Sequence, residues 1–303
     1  MGIKKARLAG QWYPGTKDEL LTKLDTCFTD NTFGPGEKPV SQNLDDRTII
    51  GAVSPHAGIN FSGECAAHTY LNLFKEKIPD TVIVIGFEHQ SYVKPSILVE
   101  GEWQTPIGNL QIDSKLANEI VKISKTLESN DRVFINSSEN SLELQMPFIK
   151  YCAGVNDVKI VPIKFRSHEY EIINNIAMDI ANAIKSVDKD VVIVASSDMS
   201  HEQISTKKDL ETLKSNDHRV IEQFLTLNAE NVLNPEKIIP DDSFLNPYKT
   251  VTVCGTITMS TLILACKSLG ANKGKLLKYY TSSEKTGSLG GYCVGYFSGI
   301  FIK

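Results

Sequence analysis

Three apolar runs in this sequence each stop at a histidine: TIIGAVSPHAG places His56, TVIVIGFEH places His89, and VVIVASSDMSH places Asp198 and His201. Buried β runs that end on titratable groups are how an open α/β sheet delivers ligands to one edge, beyond the carboxyl ends of its strands. A fourth segment, TVTVCG, brings Cys254 to a predicted strand-to-helix junction. Two or three imidazoles, a carboxylate and a thiol offered to one pocket make a metal-ligand inventory.

Each residue also has a plainer reading. His56 sits in SPHAGINFSG, where Pro55 ends the strand and Gly58 and Gly63 permit close turns; that setting argues against a loop histidine merely satisfied by backbone. His89 follows an unbroken Val-Ile-Val-Ile run and is predicted to project past the same sheet edge as His56. Asp198 and His201, three apart, face one another if the strand passes into a turn or a first helical turn; the alternative is an N-cap Asp beside an exposed His. Cys254 precedes Gly255 and a long apolar helical pattern, so the positive end of the helix is expected to favour a thiolate, for metal binding or nucleophilic attack. The other five cysteines read as packed. Glu143, in SSENSLELQMPF, is predicted to hold the outer nitrogen of a metal-bound histidine, the alternative being a solvated helix-start acid. His68, His168 and His218 read as ordinary residues. There is no P-loop and no G-x-S-x-G, and GSLGG lacks the context of a dinucleotide fingerprint.

The bulk properties set limits. The 303 residues, 41% hydrophobic, suffice for one large α/β domain. A net charge of −4, from 32 basic and 36 acidic residues, is too balanced for a phosphate-tracking surface, so no nucleic-acid partner is expected. The six cysteines form no C-x-x-C pair, which argues against a disulfide framework or zinc knuckle and fits a reducing cytoplasm. No apolar signal region follows MGIKKARLAG, and the longest uncharged stretch, 250–266, is rich in Thr, Gly and Ser, so neither export nor membrane association is expected.

The elements that must position these residues alternate. A helix is predicted after AGQWYPG, opened by a capping box of Thr16 and Glu19. Strands are predicted from about 48, at 81–86, 97–99, 110–112, 158–163, 190–196, 276–280 and 292–302. Helices are predicted from Ser62, at 114–127, 141–152, 169–186, 206–227 and 255–269, with a Gly/Ser loop at 281–291. The pattern is α/β: a single sheet, largely parallel or mixed, with helices on both faces and one domain over 1–303.

The segments AGQWYP, PHAG, GFEH, ENSLELQMPF, SSDMSH and VCG, in this order and followed by a final Gly-Tyr strand, resemble the Memo family, whose prokaryotic members are called AmmeMemoRadiSam system protein B. The resemblance implies the fold of class III extradiol dioxygenases. It also implies His56, His89 and Cys254 as metal ligands, with Asp198 and His201 lining the pocket and His201 as acid/base. Cys254 stands where those dioxygenases carry a glutamate; a thiolate prefers softer metals and is itself oxidisable. Many relatives read Glu-His-Ser where this chain has Glu139, Asn140 and Ser141; Asn140 can hydrogen-bond but cannot shuttle a proton. The family also implies pathway partners, a radical-SAM protein and an AMMECR-type protein.

Three functions remain open from the sequence. The first is a mononuclear metal protein, with Fe(II) preferred over Cu or Zn, doing redox or oxygenase-like chemistry on a small molecule or peptide. The second is a binding or scaffold protein that captures an anionic peptide or small acid in the same pocket. The third is a hydrolase or transferase with Cys254 as nucleophile.

Overall fold

The structure is a computed structural model and describes residues 2–89 and 94–303. In chain order it contains strand β1 (Ile3–Lys4), helix α1 (Lys17–Thr29), β2 (Ile49–Ser54), α2 (Ile59–Lys75) and β3 (Thr81–Phe87). Short strands β4 (Ser96–Ile97), β5 (Glu102–Thr105) and β6 (Gly108–Gln111) precede α3 (Ser114–Ile123), β7 (Glu128–Ser129) and α4 (Asp131–Ile135). Then come α5 (Asn140–Glu143), α6 (Met146–Ala153), β8 (Lys159–Phe165), α7 (Tyr170–Lys185), β9 (Val191–Ser196) and β10 (His201–Ile204). Helices α8 (Lys207–Leu225), α9 (Ala229–Leu233) and α10 (Thr256–Ser268) lead to β11 (Lys273–Thr281), α11 (Ser282–Thr286) and β12 (Gly291–Ile302).

Among the described residues, nine strands form one sheet in the order β10-β12-β2-β9-β3-β8-β4-β7, with β11 paired to β12. Its centre is parallel: Ile193 of β9 lies between Gly51 of β2 and Ile83 of β3, and Ile83 faces Val161 of β8. Toward the edges antiparallel pairs appear, β12 against β2, β10 and β11, and β4 against β8, while the outermost β7 runs parallel to β4. The sheet is therefore mixed, as expected of the α/β class. It is accompanied by a small second sheet, β1-β5-β6, which the single-sheet expectation lacks. The β5–β6 hairpin buries Trp103 and Leu110 and captures the amino-terminal strand.

The central strands read as unbroken apolar runs because both faces are covered. Ile83, Ile85, Ile193 and Ala195 pack on one side with α3, α7, α8, α9 and α10. Val82, Val84, Val192 and Val194 pack on the other with α1, α2 and α6. Each buried Val or Ile contributes about 1.5–3 kcal/mol.

Several expected elements differ locally. Thr16 makes no capping bond to a backbone N–H; its hydroxyl donates to Glu19 Oε2 at 2.7 Å instead. The helix expected over 141–152 is split into α5 and α6, with Pro147 in the first turn of the second. The expected Gly/Ser loop contains α11, which carries a complete capping box between Thr281 and Glu284.

Candidate metal centre

Strands β2, β9 and β3 are neighbours and run parallel, so their carboxyl ends emerge side by side. Two residues beyond β2 lies His56, two beyond β3 lies His89, and two beyond β9, between them, lies Asp198. The sulfur comes from farther along the chain. Cys254 sits just before α10, and its approach depends on Gly255, where a Cβ would lie 2.3 Å from Ser197 Cβ. One ligand atom from each of His56, His89 and Cys254 lies within 4.8 Å of the others. His56 Nε2 is 3.2 Å from Cys254 Sγ, and the two imidazole centroids are 5.2 Å apart at 86°.

Each imidazole is held from behind. His56 is buried, its Nδ1 is 2.8 Å from Ser196 Oγ, and its backbone N–H donates to Asp198 Oδ1 at 2.7 Å. Burial pushes the ring down to about 4 against the pull of the Asp198 charge, so it is neutral at pH 7. His89 is gripped twice by Glu139: Nδ1 is 2.8 Å from Oε1, and the backbone N–H donates to Oε2 at 2.9 Å. Burial would raise the Glu139 carboxyl, but the hydrogen bond and charge of His89, with the N–H of Ser141, outweigh it and hold the group at about 2. A carboxylate behind a histidine orients the ring and raises its basicity toward a metal.

The role expected of Glu143 therefore belongs to Glu139. Glu139 precedes α5 and its side chain caps Ser141 N, which leaves its oxygens beside His89. Glu143, four residues on, faces the amino-terminal segment: its carboxylate takes Lys4 Nζ at 2.9 Å, Leu8 N–H at 2.7 Å and the Tyr13 hydroxyl at 2.9 Å. It is a buried anchor, neither solvated nor against a histidine. Asn140 donates to the His56 carbonyl at 3.2 Å and so steadies the turn carrying that ligand. Gly86 makes room for this segment, because a Cβ there would lie 2.7 Å from Leu142 Cγ and Ser141 Oγ.

Asp198 and His201 do meet, but not across a helical turn. His201 opens strand β10, paired with Val294 of β12, and its Nε2 lies 3.9 Å from Asp198 Oδ2. The same oxygen is 3.9 Å from His56 Nε2. Thr252 clamps His201 from behind: its hydroxyl accepts the His201 backbone N–H at 2.9 Å, and its carbonyl is 3.1 Å from Nδ1. Since a carbonyl only accepts, Nδ1 carries the proton, and a neutral His201 turns a bare Nε2 toward Asp198. Tyr292, which sequence reading passed over, adds a phenol ring with its centroid 6.0 Å from that of His201.

The thiolate expected at Cys254 is not what the surroundings favour. Burial and then the charge of Asp198 push its thiol well above the ordinary range, more than the N–H of Asp198, 3.3 Å from the sulfur, can offset. The TVTV stretch before it also forms no strand; residues 251–253 are irregular, and Thr252 spends its hydroxyl and carbonyl on His201 and Glu202. Two neutral-capable imidazoles and one thiol fit a borderline or soft ion such as Fe(II), Cu or Zn, and a bound cation would itself remove the thiol proton.

A sequence model described as Memo-like protein matches residues 4–300 of this chain. A MEMO1 family protein of Methanobrevibacter smithii is 33% identical over 99% of both chains. Proteins of the same description from Nitrosopumilus maritimus and Desulfurococcus amylolyticus are 35% and 34% identical. The first covers 99% of this chain and 100% of its own, the second 95% of each.

Proposed function

From the premise that the chain belongs to the Memo family, we propose that it is a mononuclear metalloprotein whose His56, His89 and Cys254 hold one ion, Fe(II) or copper, for redox or oxygenase-like chemistry on a small molecule or peptide. The observation that carries the proposal is the meeting of three ligand atoms from three distant chain segments within 4.8 Å. When bound, such an ion would supply Lewis acidity and one-electron chemistry there.

The surrounding residues supply positioning and proton movement. Glu139 and Ser196 hold the two rings in place from the far side. His201, with Nδ1 committed to the Thr252 carbonyl, is placed to take a proton at Nε2, which faces Asp198 Oδ2 at 3.9 Å. Asp198 is kept in position by the His56 backbone N–H.

Two alternatives lose support. A cysteine nucleophile needs a thiolate, whereas Cys254 is held as a thiol beside an imidazole that resists protonation. Capture of an anionic peptide would bring its charge against Asp198 and Glu139, both buried carboxylates of the site. Among the described residues, no helix is long and apolar enough to cross a membrane; we place the protein in the cytoplasm on its unpaired cysteines.

Elemental analysis of protein purified without oxygen tests the proposal. One metal per chain is expected, falling to background in His56→Ala and Cys254→Ala; equal metal in wild type and both variants rejects the ligand set.

A further inference from the structure

We infer that Gln145 and Ser141, acting through Ser196, fix which nitrogen of His56 carries its proton, so that the ring turns a bare Nε2 toward Cys254 before any ligand arrives. The claim concerns positioning residues in the ENSLELQMPF segment and goes beyond the proposed function. The tautomer stands or falls without any metal; only its consequence for affinity rests on that reading.

Donors and acceptors around Ser196 leave a single consistent assignment. Ser196 Oγ has three polar neighbours: the Ser141 carbonyl at 2.5 Å, Gln145 Nε2 at 3.0 Å and His56 Nδ1 at 2.8 Å. A serine hydroxyl has one proton to give and two lone pairs to offer. The Ser141 carbonyl can only accept, so the hydroxyl proton goes there. The orientation of the Gln145 amide is fixed at both ends: Nε2 is also 3.0 Å from the Pro55 carbonyl, which requires a donor, and Oε1 accepts the Tyr70 hydroxyl at 2.8 Å. Its NH₂ therefore donates to Ser196 and takes one lone pair. What remains for His56 is the other lone pair, so Nδ1 must be the protonated nitrogen.

A neutral imidazole has a single N–H. His56 Nε2 is then unprotonated, and it is the atom 3.2 Å from Cys254 Sγ. Ser141, Gln145 and Ser196 are each fully buried, which leaves bulk water no access to exchange the roles. Were Ser196 to donate to His56 instead, the Ser141 carbonyl would lose its side-chain donor and Ser196 would be left with one partner too few. The two ligating rings are thus oriented by different means: Glu139 directs His89 with a charge, and a neutral three-way junction directs His56.

The Cys254 thiol is a second donor that favours the same tautomer, so the test removes it. Histidine labelled with nitrogen-15 is incorporated into metal-free full-length protein, and the ring nitrogens of His56 are read by NMR at neutral pH. Wild type and Cys254→Ala are both expected to show a protonated Nδ1 and a bare Nε2. Cys254→Ala combined with Ser196→Ala is expected to populate the opposite tautomer, and Ser196→Thr, which keeps the oxygen, to retain the wild-type one. Cobalt(II) affinity is expected to fall about 10–100-fold in Ser196→Ala and in Gln145→Met. An unprotonated Nδ1 in wild type, or identical His56 spectra in Cys254→Ala and the double variant, overturns the inference. Absence of cobalt binding by wild type rejects the metal reading instead, and the wild-type spectrum still decides the tautomer.

Discussion

Asp217 offers a sharp test of how the His201 loop is held. It is fully buried on α8, where Oδ1 accepts Ser200 N–H at 3.0 Å and Oδ2 accepts the Tyr279 hydroxyl at 2.7 Å. It also lies against Gly295 of β12, where a Cβ would come within 2.1 Å of Oδ2. Burial raises its carboxyl from 3.8 to about 6, against the pull of Ser200, Tyr279 and His201. Each tenfold change in proton affinity is worth about 1.4 kcal/mol, so the charged form costs the folded state about 3 kcal/mol. The sign follows from linkage: the folded state binds the proton more tightly. The contribution is therefore fully favourable below pH 3.8 and is lost as pH rises to about 6. Asp217→Asn keeps an acceptor for Ser200 and removes the titration. Urea unfolding of both proteins from pH 4.5 to 7.5 is expected to show the variant gaining about 2 kcal/mol on wild type across that range, with the slope falling through about pH 6 and gone by about pH 7. Stability differences that stay constant with pH refute the reasoning.

Other consequences follow from the same contacts. Glu143→Gln leaves Lys4 buried without its counter-charge and is expected to lower stability by about 3–5 kcal/mol by thermal unfolding, while folded protein keeps its metal content; loss of metal with unchanged stability would return Glu143 to the centre. Glu139→Gln places an amide N–H against one of the two His89 donors, so cobalt(II) affinity is expected to drop about 10–100-fold in a competition titration. An unchanged affinity removes Glu139 from the account. The Cys254 thiol of metal-free protein is expected to alkylate more slowly at pH 7.5 than free cysteine, as followed by mass spectrometry; faster reaction would revive the nucleophile reading. Gly86→Ala drives a methyl into Ser141 and Leu142 and is expected to destabilise by about 1–3 kcal/mol.

The parts legible in the sequence were those with a strong period or an uninterrupted run. The buried strands β2, β3 and β9 announced themselves because both their faces are covered, and their ends pointed to His56, His89 and Asp198. Cys254 was recognisable from its place before a long apolar helix, but not its state. Helix-start position predicts a thiolate, whereas burial beside Asp198 reverses the sign. The strand beginning at His201 was hidden because HEQI has no apolar alternation and is defined by pairing with β12. The exchange of Glu139 for Glu143 came from a one-turn helix too short for periodicity to assign its faces. The available signal was local: Glu139 stands just before α5, where a carboxylate caps the first turn and stays near the strand end it follows. Gln145 was legible only as a member of the ENSLELQMPF segment and not in its role, since its partners Tyr70, Pro55 and Ser196 come from three other segments.

X-ray absorption spectroscopy of anaerobically metal-loaded protein measures the proposed convergence directly. With zinc as the loaded ion, one sulfur at about 2.3 Å and two imidazole nitrogens at about 2.0–2.1 Å are predicted, with the sulfur lost in Cys254→Ser. A first shell of nitrogen and oxygen alone in wild type would contradict the account.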